Sequence, residues 1–123
     1  MKQIFPYESE VDPIEVYNND IRETFESRPW ILLNMVNSVD GFISFEGKAA
    51  GLSGPADKNI YQLIRGLADI ILVGAGTIRT ENYKAPRTPE GTLAEFRESR
   101  NQEKRPRIAV ISGELNLDPE MGL

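Results

Sequence analysis

Three short stretches of the chain carry residue types that can do chemistry. The first is Gly74-Ala75-Gly76-Thr77-Ile78-Arg79, which follows the apolar run Ile70-Ile71-Leu72-Val73. Where a strand turns into a helix, backbone N–H groups such as those of Gly74, Ala75 and Gly76 can cradle a phosphate. The Thr77 hydroxyl would add a donor and Arg79 a counter-charge. This is not a Walker A loop, because no Gly-Lys-Ser/Thr follows. Nor is it the Gly-x-Gly-x-x-Gly fingerprint, because position 79 is Arg. A tight turn that needs its glycines would look the same. The second stretch is Ser38-Val39-Asp40-Gly41, after the apolar run Trp30-Ile31-Leu32-Leu33-Asn34-Met35-Val36. Ligands of open α/β sheets bind outside the carboxyl ends of strands, yet Asp40 and Gly41 also suit an ordinary Asx turn. Asn34 is polar inside that run, so burial would oblige it to find a partner, in the protein or in a ligand. The third stretch is Leu52-Ser53-Gly54-Pro55-Ala56-Asp57. A carboxylate there is stabilised by the positive end of a helix; beside a cleft it could instead orient or protonate a heterocycle. Downstream, Arg97, Arg100, Lys104, Arg105 and Arg107 are either a solvated face or a site for an extra phosphate.

What the chain lacks narrows the chemistry further. It contains no Cys and no His. Disulfides, thiolate nucleophiles, the Ser-His-Asp triad and the commonest metal ligand are all excluded, and no metal site is expected. Catalysis would rest on carboxylates, Lys, Tyr, hydroxyls and backbone dipoles, or on a cofactor that brings the reactivity. Hydride transfer suits such a chain, since the protein then mainly positions and polarises. The net charge of −5 and pI of about 4.8 argue against a nucleic-acid partner. Acidity is concentrated early: residues 1–57 hold 4 basic and 10 acidic residues, and 58–123 hold 10 basic and 9 acidic. No apolar stretch approaches the roughly 18 residues of a membrane helix, so no membrane partner is expected. The absence of Cys fits a cytoplasmic location.

These stretches need elements to position them. At 123 residues the chain has room for one domain. Residues 1–28, polar and broken by Pro6 and Pro13, are expected to form an arm with a short helix over 14–24; residues 29–123 follow as the domain proper. The run 30–37 is apolar on both faces and predicts a doubly buried strand. Phe42-Ile43 predicts a short extended piece. Pro55 opens a helix whose apolar face is Ile60, Leu63, Ile64 and Leu67. A second buried strand is predicted over 69–74, a helix over 88–104 with only Leu93 and Phe96 as its apolar face, and a third strand over 107–112. Strand, helix, strand, helix, strand predicts an α/β fold with a mainly parallel sheet and right-handed crossovers. Three parallel strands cannot cover themselves, so the domain is expected to be cut short after the third main strand and to self-associate as a homo-oligomer through its open edge.

Taken together, the runs 34–41, 52–57 and above all 63–83 resemble the pyrimidine-reductase domain of riboflavin biosynthesis, over about 30–112. That family has the three-layer fold of dihydrofolate reductase. The resemblance implies an enzyme that uses NADPH to reduce the ribosyl group of a 5-amino-6-(phosphoribosylamino)uracil-like small molecule to ribitylamino. It implies cofactor binding by Gly74, Ala75, Gly76, Thr77 and Arg79, and by Ser112 at the adenosine 2′-phosphate. Asn34, Ser38, Asp40, Gly41 and Ser53 would line the substrate and nicotinamide cleft, with Asp57 as the ring-facing, catalytic acid. Many members have Lys where this chain has Asn34. The family domain also continues for roughly another hundred residues, so the chain alone is expected to be a poor catalyst. Dihydrofolate reductases supply the alternative substrate class, a pterin, but Leu52-Ser53-Gly54-Pro55 offers no aromatic to stack on a pteridine.

Overall fold

The computed structural model describes residues 1–23, 25–81 and 83–123. The chain opens with a small antiparallel hairpin, β1 (Lys2–Gln3) and β2 (Ser9–Glu10). Helix α1 (Pro13–Asn19) follows, capped by the Asp12 carboxylate, which accepts from the Ile14 N–H at 2.9 Å. The predicted helix over 14–24 is thus shorter, and Thr24 lies outside the described residues. Helix α1 has no buried residue of its own. It packs against two later helices, α2 (Pro55–Leu67) and α4 (Thr92–Ser99), and Arg100 donates to the Asn18 carbonyl at 2.8 Å.

Helix α2 forms as the spacing predicts. Pro55 opens it, Asp57 sits in its first turn, and Leu63, Gly66 and Leu67 are buried on one face. It leads into strand β3 (Ile70–Gly74), which runs with no intervening loop into helix α3 (Ala75–Glu81). Strand β4 (Arg107–Ile111) pairs with β3 in parallel, in a register from Ile70 opposite Arg107 to Gly74 opposite Ile111. Helix α4 occupies only part of 88–104. Gly91, with a backbone φ of 57° that favours glycine, precedes its first turn.

The sheet departs from expectation in one respect. Residues 30–37 form no strand, so the parallel sheet has two strands among the described residues. Exposure along this run follows a strand's period only in part, because Asn34 is exposed between Leu32 and Val36. Leu32, Val36 and Ser38 are half-buried, while Ile31, Leu33 and Met35 are 73–81% exposed. A run apolar on both sides becomes a central strand only when both faces are covered and a ladder partner is present; here one face has cover. Phe42-Ile43 is likewise not a strand, the nearest pairing being a bridge between Phe45 and Lys48.

The same shortage of cover appears in the core. Leu63, Leu67, Val73, Ala75 and Ile78 are buried between α2, α3 and one face of the sheet. On the other face Ile70 and Leu72 remain exposed. The chain's accessible surface is 9625 Å²; a compact monomer of this mass has about 6,600 Å². Among the described residues no helix is long and apolar enough to cross a membrane.

Candidate functional site

Asp57 is held by two neighbours from different parts of the chain. Ser53, just before α2, donates its hydroxyl to Asp57 Oδ2 at 2.6 Å. Asn34 donates from Nδ2 to Oδ1 at 3.4 Å, across 23 residues of sequence. The half-buried carboxylate therefore faces Ser53 and the 30–37 run, with both oxygens engaged. Short hydrogen bonds to an ionised carboxylate are among the stronger ones. Asn34 accordingly has a protein partner, and that bond ties the unpaired run to the start of α2.

Ser38, Asp40 and Gly41 form a closed turn of their own. Ser38 Oγ donates to Asp40 Oδ1 at 2.5 Å and accepts from the Phe42 N–H at 2.9 Å. The Ser38 N–H donates to the Phe42 carbonyl and the Gly41 N–H to the Ser38 carbonyl, each at 2.9 Å. Gly41 has a φ of 89°, which is why glycine stands there. No hydrogen bond joins this turn to the Asp57 group among the described residues.

The parallel register brings the remaining predicted residues to one end of the sheet. Gly74 closes β3 opposite Ile111, so the Gly74-Ala75-Gly76-Thr77 turn and Ser112 lie side by side beyond the strands' carboxyl ends. Ala75 is buried and packs inward, while Gly76 and Thr77 face solvent. A Cβ at Gly76 would meet nothing within 4 Å, so this backbone is open to close approach. The first N–H groups of a helix have no partner within it. The turn thus offers the donor set that a dinucleotide phosphate requires, and the residues fit such a group. Arg79 donates from Nη1 to the Asn116 carbonyl at 3.0 Å, and Ser112 Oγ accepts from the Leu115 N–H at 2.9 Å. Both side chains therefore also anchor the C-terminal segment.

The basic stretch is a solvated face at Arg100, Lys104, Arg105 and Arg107, but not at Arg97. Arg97 is only 2% exposed. Its guanidinium donates to the carbonyls of Gly66, Ala68 and Glu103 at 2.7–2.8 Å. Burial lowers its pKa, and Asp69 and Glu103 pull the other way. Arg107 pairs with Glu103 at 2.5 Å, and Arg100 is committed to Asn18. Lys104 and Arg105 are exposed, and their side chains make no hydrogen bond among the described residues.

One cluster was not anticipated from the sequence. Arg65, late in α2, lies over the rings of Tyr61 and Tyr83, with its guanidinium carbon 5.0 and 4.8 Å from their centroids. Arg65 Nη1 donates to both phenol oxygens, at 2.5 Å for Tyr61. Burial, reinforced by the bond from Tyr61 and opposed by the charge of Arg65, pushes the Tyr83 phenol up to about 12. Arg65 also lines a concavity of about 170 Å³ with Gln62 and Arg87. The i, i+4 spacing of Tyr61 and Arg65 was visible in the sequence; the approach of Tyr83 depends on how α3 folds back. None of the candidate site residues named from the sequence lines this concavity, although Leu93 of the α4 apolar face does.

The profile of the family described as the RibD C-terminal domain matches residues 29–123. Among solved structures, the chain is similar to a pyrimidine reductase-like protein from Corynebacterium diphtheriae, with 28% identity and a TM-score of 0.62 over 68% of this chain. The match covers 34% of that protein, so the chain spans about a third of its length. No curated protein matches significantly.

Proposed function

Because the chain belongs to the RibD C-terminal domain family, a riboflavin-biosynthesis type of pyrimidine reductase domain with a dihydrofolate reductase-like α/β fold, we propose that it serves an NADPH-dependent reductase. The substrate is of the 5-amino-6-(phosphoribosylamino)uracil kind, and its ribosyl group is reduced to ribitylamino. The observation that carries this reading is the parallel register of β3 and β4, which sets the open Gly74–Thr77 turn beside Ser112. When bound, the cofactor supplies hydride. The chain's own part is to hold it: backbone donors at Gly74, Ala75 and Gly76, the Thr77 hydroxyl, and Arg79 and Ser112 toward the 2′-phosphate.

Asp57, fixed by Ser53 and Asn34, is the acid that meets the pyrimidine ring, with the Ser38–Gly41 turn bordering the same cleft. Asp57 and Arg65 stand eight residues apart on α2, about 12 Å along its axis. Arg65 and its concavity therefore lie toward the amino ends of the strands, away from the Asp57 end of α2. Exposed Ile70 and Leu72 favour self-association as a homo-oligomer. The lack of Cys fits the cytoplasm.

Titrating the chain with NADPH and NADH tests the reading. NADPH is expected to bind roughly 10- to 150-fold more tightly, the worth of one charge-assisted phosphate contact. Replacing Arg79 with Gln is expected to narrow the gap. Equal affinity for the two cofactors in the unsubstituted chain would overturn the assignment.

A further inference from the structure

Residues 43–51 are all exposed, so burial does not hold them in place. They fold on themselves instead. Phe45 and Lys48 exchange backbone hydrogen bonds at 2.9 and 3.0 Å, around Glu46 and Gly47 with φ of 50° and 77°. Ala49–Gly51 then make one 3₁₀ turn, closed by the Leu52 N–H on the Ala49 carbonyl at 2.9 Å. The first N–H groups of such a turn have no partner within it, and Lys48 before it provides no side-chain cap. The cap comes from 32 residues away: the Ala49 N–H donates to Glu81 Oε1 at 2.9 Å. Among the described residues this is the only hydrogen bond from 43–52 to anything outside that segment. Glu81 is the last residue of α3. An acid at that end opposes the helix dipole, so the needs of the helix do not account for it. Its footing is firm, because Ile78, one turn earlier, is fully buried.

We propose that Glu81 is a positioning residue, which ties the 43–52 loop to α3 through the Ala49 N–H and so sets the substrate side of the site against the cofactor side. This inference rests on the reading of the chain as part of an NADPH-dependent reductase. The loop leaves the Ser38–Gly41 turn at one end. At the other it runs into Ser53, whose hydroxyl meets Asp57 at 2.6 Å. Helix α3, which carries the other partner of the bond, begins at the Gly74–Thr77 turn. One side chain thus joins the segment that leads to Asp57 to the helix that follows the cofactor turn. Hydride transfer tolerates little error between those two, since reacting atoms must come within about 3–3.5 Å. In this role Glu81 touches neither ligand and acts through the loop.

NMR of the isotopically labelled full chain, with NADPH as the probe ligand, tests this. Glu81→Ala removes the acceptor, and Glu81→Gln keeps one. Hydrogen exchange at the Ala49 amide is expected to quicken about tenfold in Glu81→Ala and to stay within about threefold in Glu81→Gln. The Asp57 carboxyl carbon signal should move in Glu81→Ala, because Ser53 sits at the end of the loop, and should return in Glu81→Gln. The affinity for NADPH should change less than about twofold in either variant. Ala49→Pro removes the donor instead and leaves α3 untouched, so it serves if Glu81→Ala does not fold. Lys48 is already extended, as a residue before proline prefers, and proline suits the first position of a helical turn. Ala49→Pro should move the Asp57 signal by itself, and adding Glu81→Ala should change nothing more. Unchanged Ala49 exchange in Glu81→Ala, or an Asp57 signal that ignores all three variants, overturns the tether. NADPH binding lost equally in Glu81→Ala and Glu81→Gln places Glu81 on the cofactor and overturns the positioning role. No NADPH binding by the unsubstituted chain overturns the reductase reading and the role toward the cofactor, while the exchange data still decide the tether.

Discussion

Arg97 donates to the carbonyl of Gly66 at 2.7 Å, 31 residues back along the chain. The same guanidinium takes the Ala68 carbonyl, and from the other side the Glu103 carbonyl. It therefore joins the end of α2, which leads into β3, to the segment that leads into β4. Backbone carbonyls at a buried helix end need such donors. Arg97→Met should destabilise the chain by about 2–4 kcal/mol, the cost of leaving buried carbonyls without partners. Arg97→Lys should recover only part of this, since one ammonium cannot reach both sides. Urea midpoints measure both. A loss below about 1 kcal/mol for Arg97→Met would refute the role.

Gly66 sits where α2 meets α4. A Cβ there would lie 2.3 Å from Leu93 Cδ2. Alanine favours a helix over glycine by about 0.5–1 kcal/mol, but crowding a packed contact costs about 1–3 kcal/mol. Gly66→Ala is therefore expected to destabilise by about 1 kcal/mol. In a Leu93→Ala background the clash is gone, and the same change should become stabilising. A double-mutant cycle by thermal unfolding reads the sign, and a stabilising Gly66→Ala in the native background would contradict the close packing.

Asp57→Asn separates ligand recognition from helix-end electrostatics. The substitution keeps the shape and an acceptor for Ser53. It is expected to move stability by less than about 1 kcal/mol. Binding of a pyrimidine ligand should weaken by about 1–3 kcal/mol, the worth of a charge-assisted hydrogen bond. Calorimetric titration with the substrate alongside a melting curve checks the pair. Lost stability with unchanged binding would reduce Asp57 to a first-turn charge.

Tyr83 gives a pH dependence. Its phenol is pushed up to about 12, chiefly by burial, whereas an unfolded tyrosine titrates near 10. Between these values the folded chain holds one proton more than the unfolded chain. The stabilising contribution is whole below about pH 10 and is lost as pH rises toward 12. An ultraviolet phenolate titration should show a tyrosine ionising late, and Tyr83→Phe should remove that step. A phenolate step at Tyr83 near pH 10 would contradict its environment.

The elements most readable in the sequence were those whose environment is local. Pro55 and the spacing of Ile60, Leu63, Ile64 and Leu67 define α2 without reference to anything distant. The strands β3 and β4 are short apolar runs flanked by turn residues, and their parallel pairing follows from the helices between them. The run 30–37 misled because its composition states what it could bury, whereas a strand needs neighbours to bury it. Arg97 misled for the opposite reason. A charge reads as solvated, and only the folded chain reveals three carbonyls waiting for donors. At the site, Gly74–Thr77 and Ser112 were placed together by register, and Asn34 found Asp57. The Ser38–Gly41 turn was legible as a turn. The approach of Tyr83 to Arg65 was not legible, because it joins residues 18 apart through the fold of α3.

The bare sheet face has a thermodynamic consequence. With 9625 Å² still accessible, folding removes only about three-quarters of the surface that a compact chain of this mass would remove. The heat-capacity change of unfolding scales with that surface, at about 12–15 cal/mol/K per residue for ordinary domains. For this chain it falls visibly short, so its free energy of folding bends little with temperature. Melting becomes gradual rather than abrupt. Anything that comes to lie against Ile70 and Leu72 would then sharpen the transition as well as raise it, and calorimetry would register the contact as a larger heat-capacity change on unfolding.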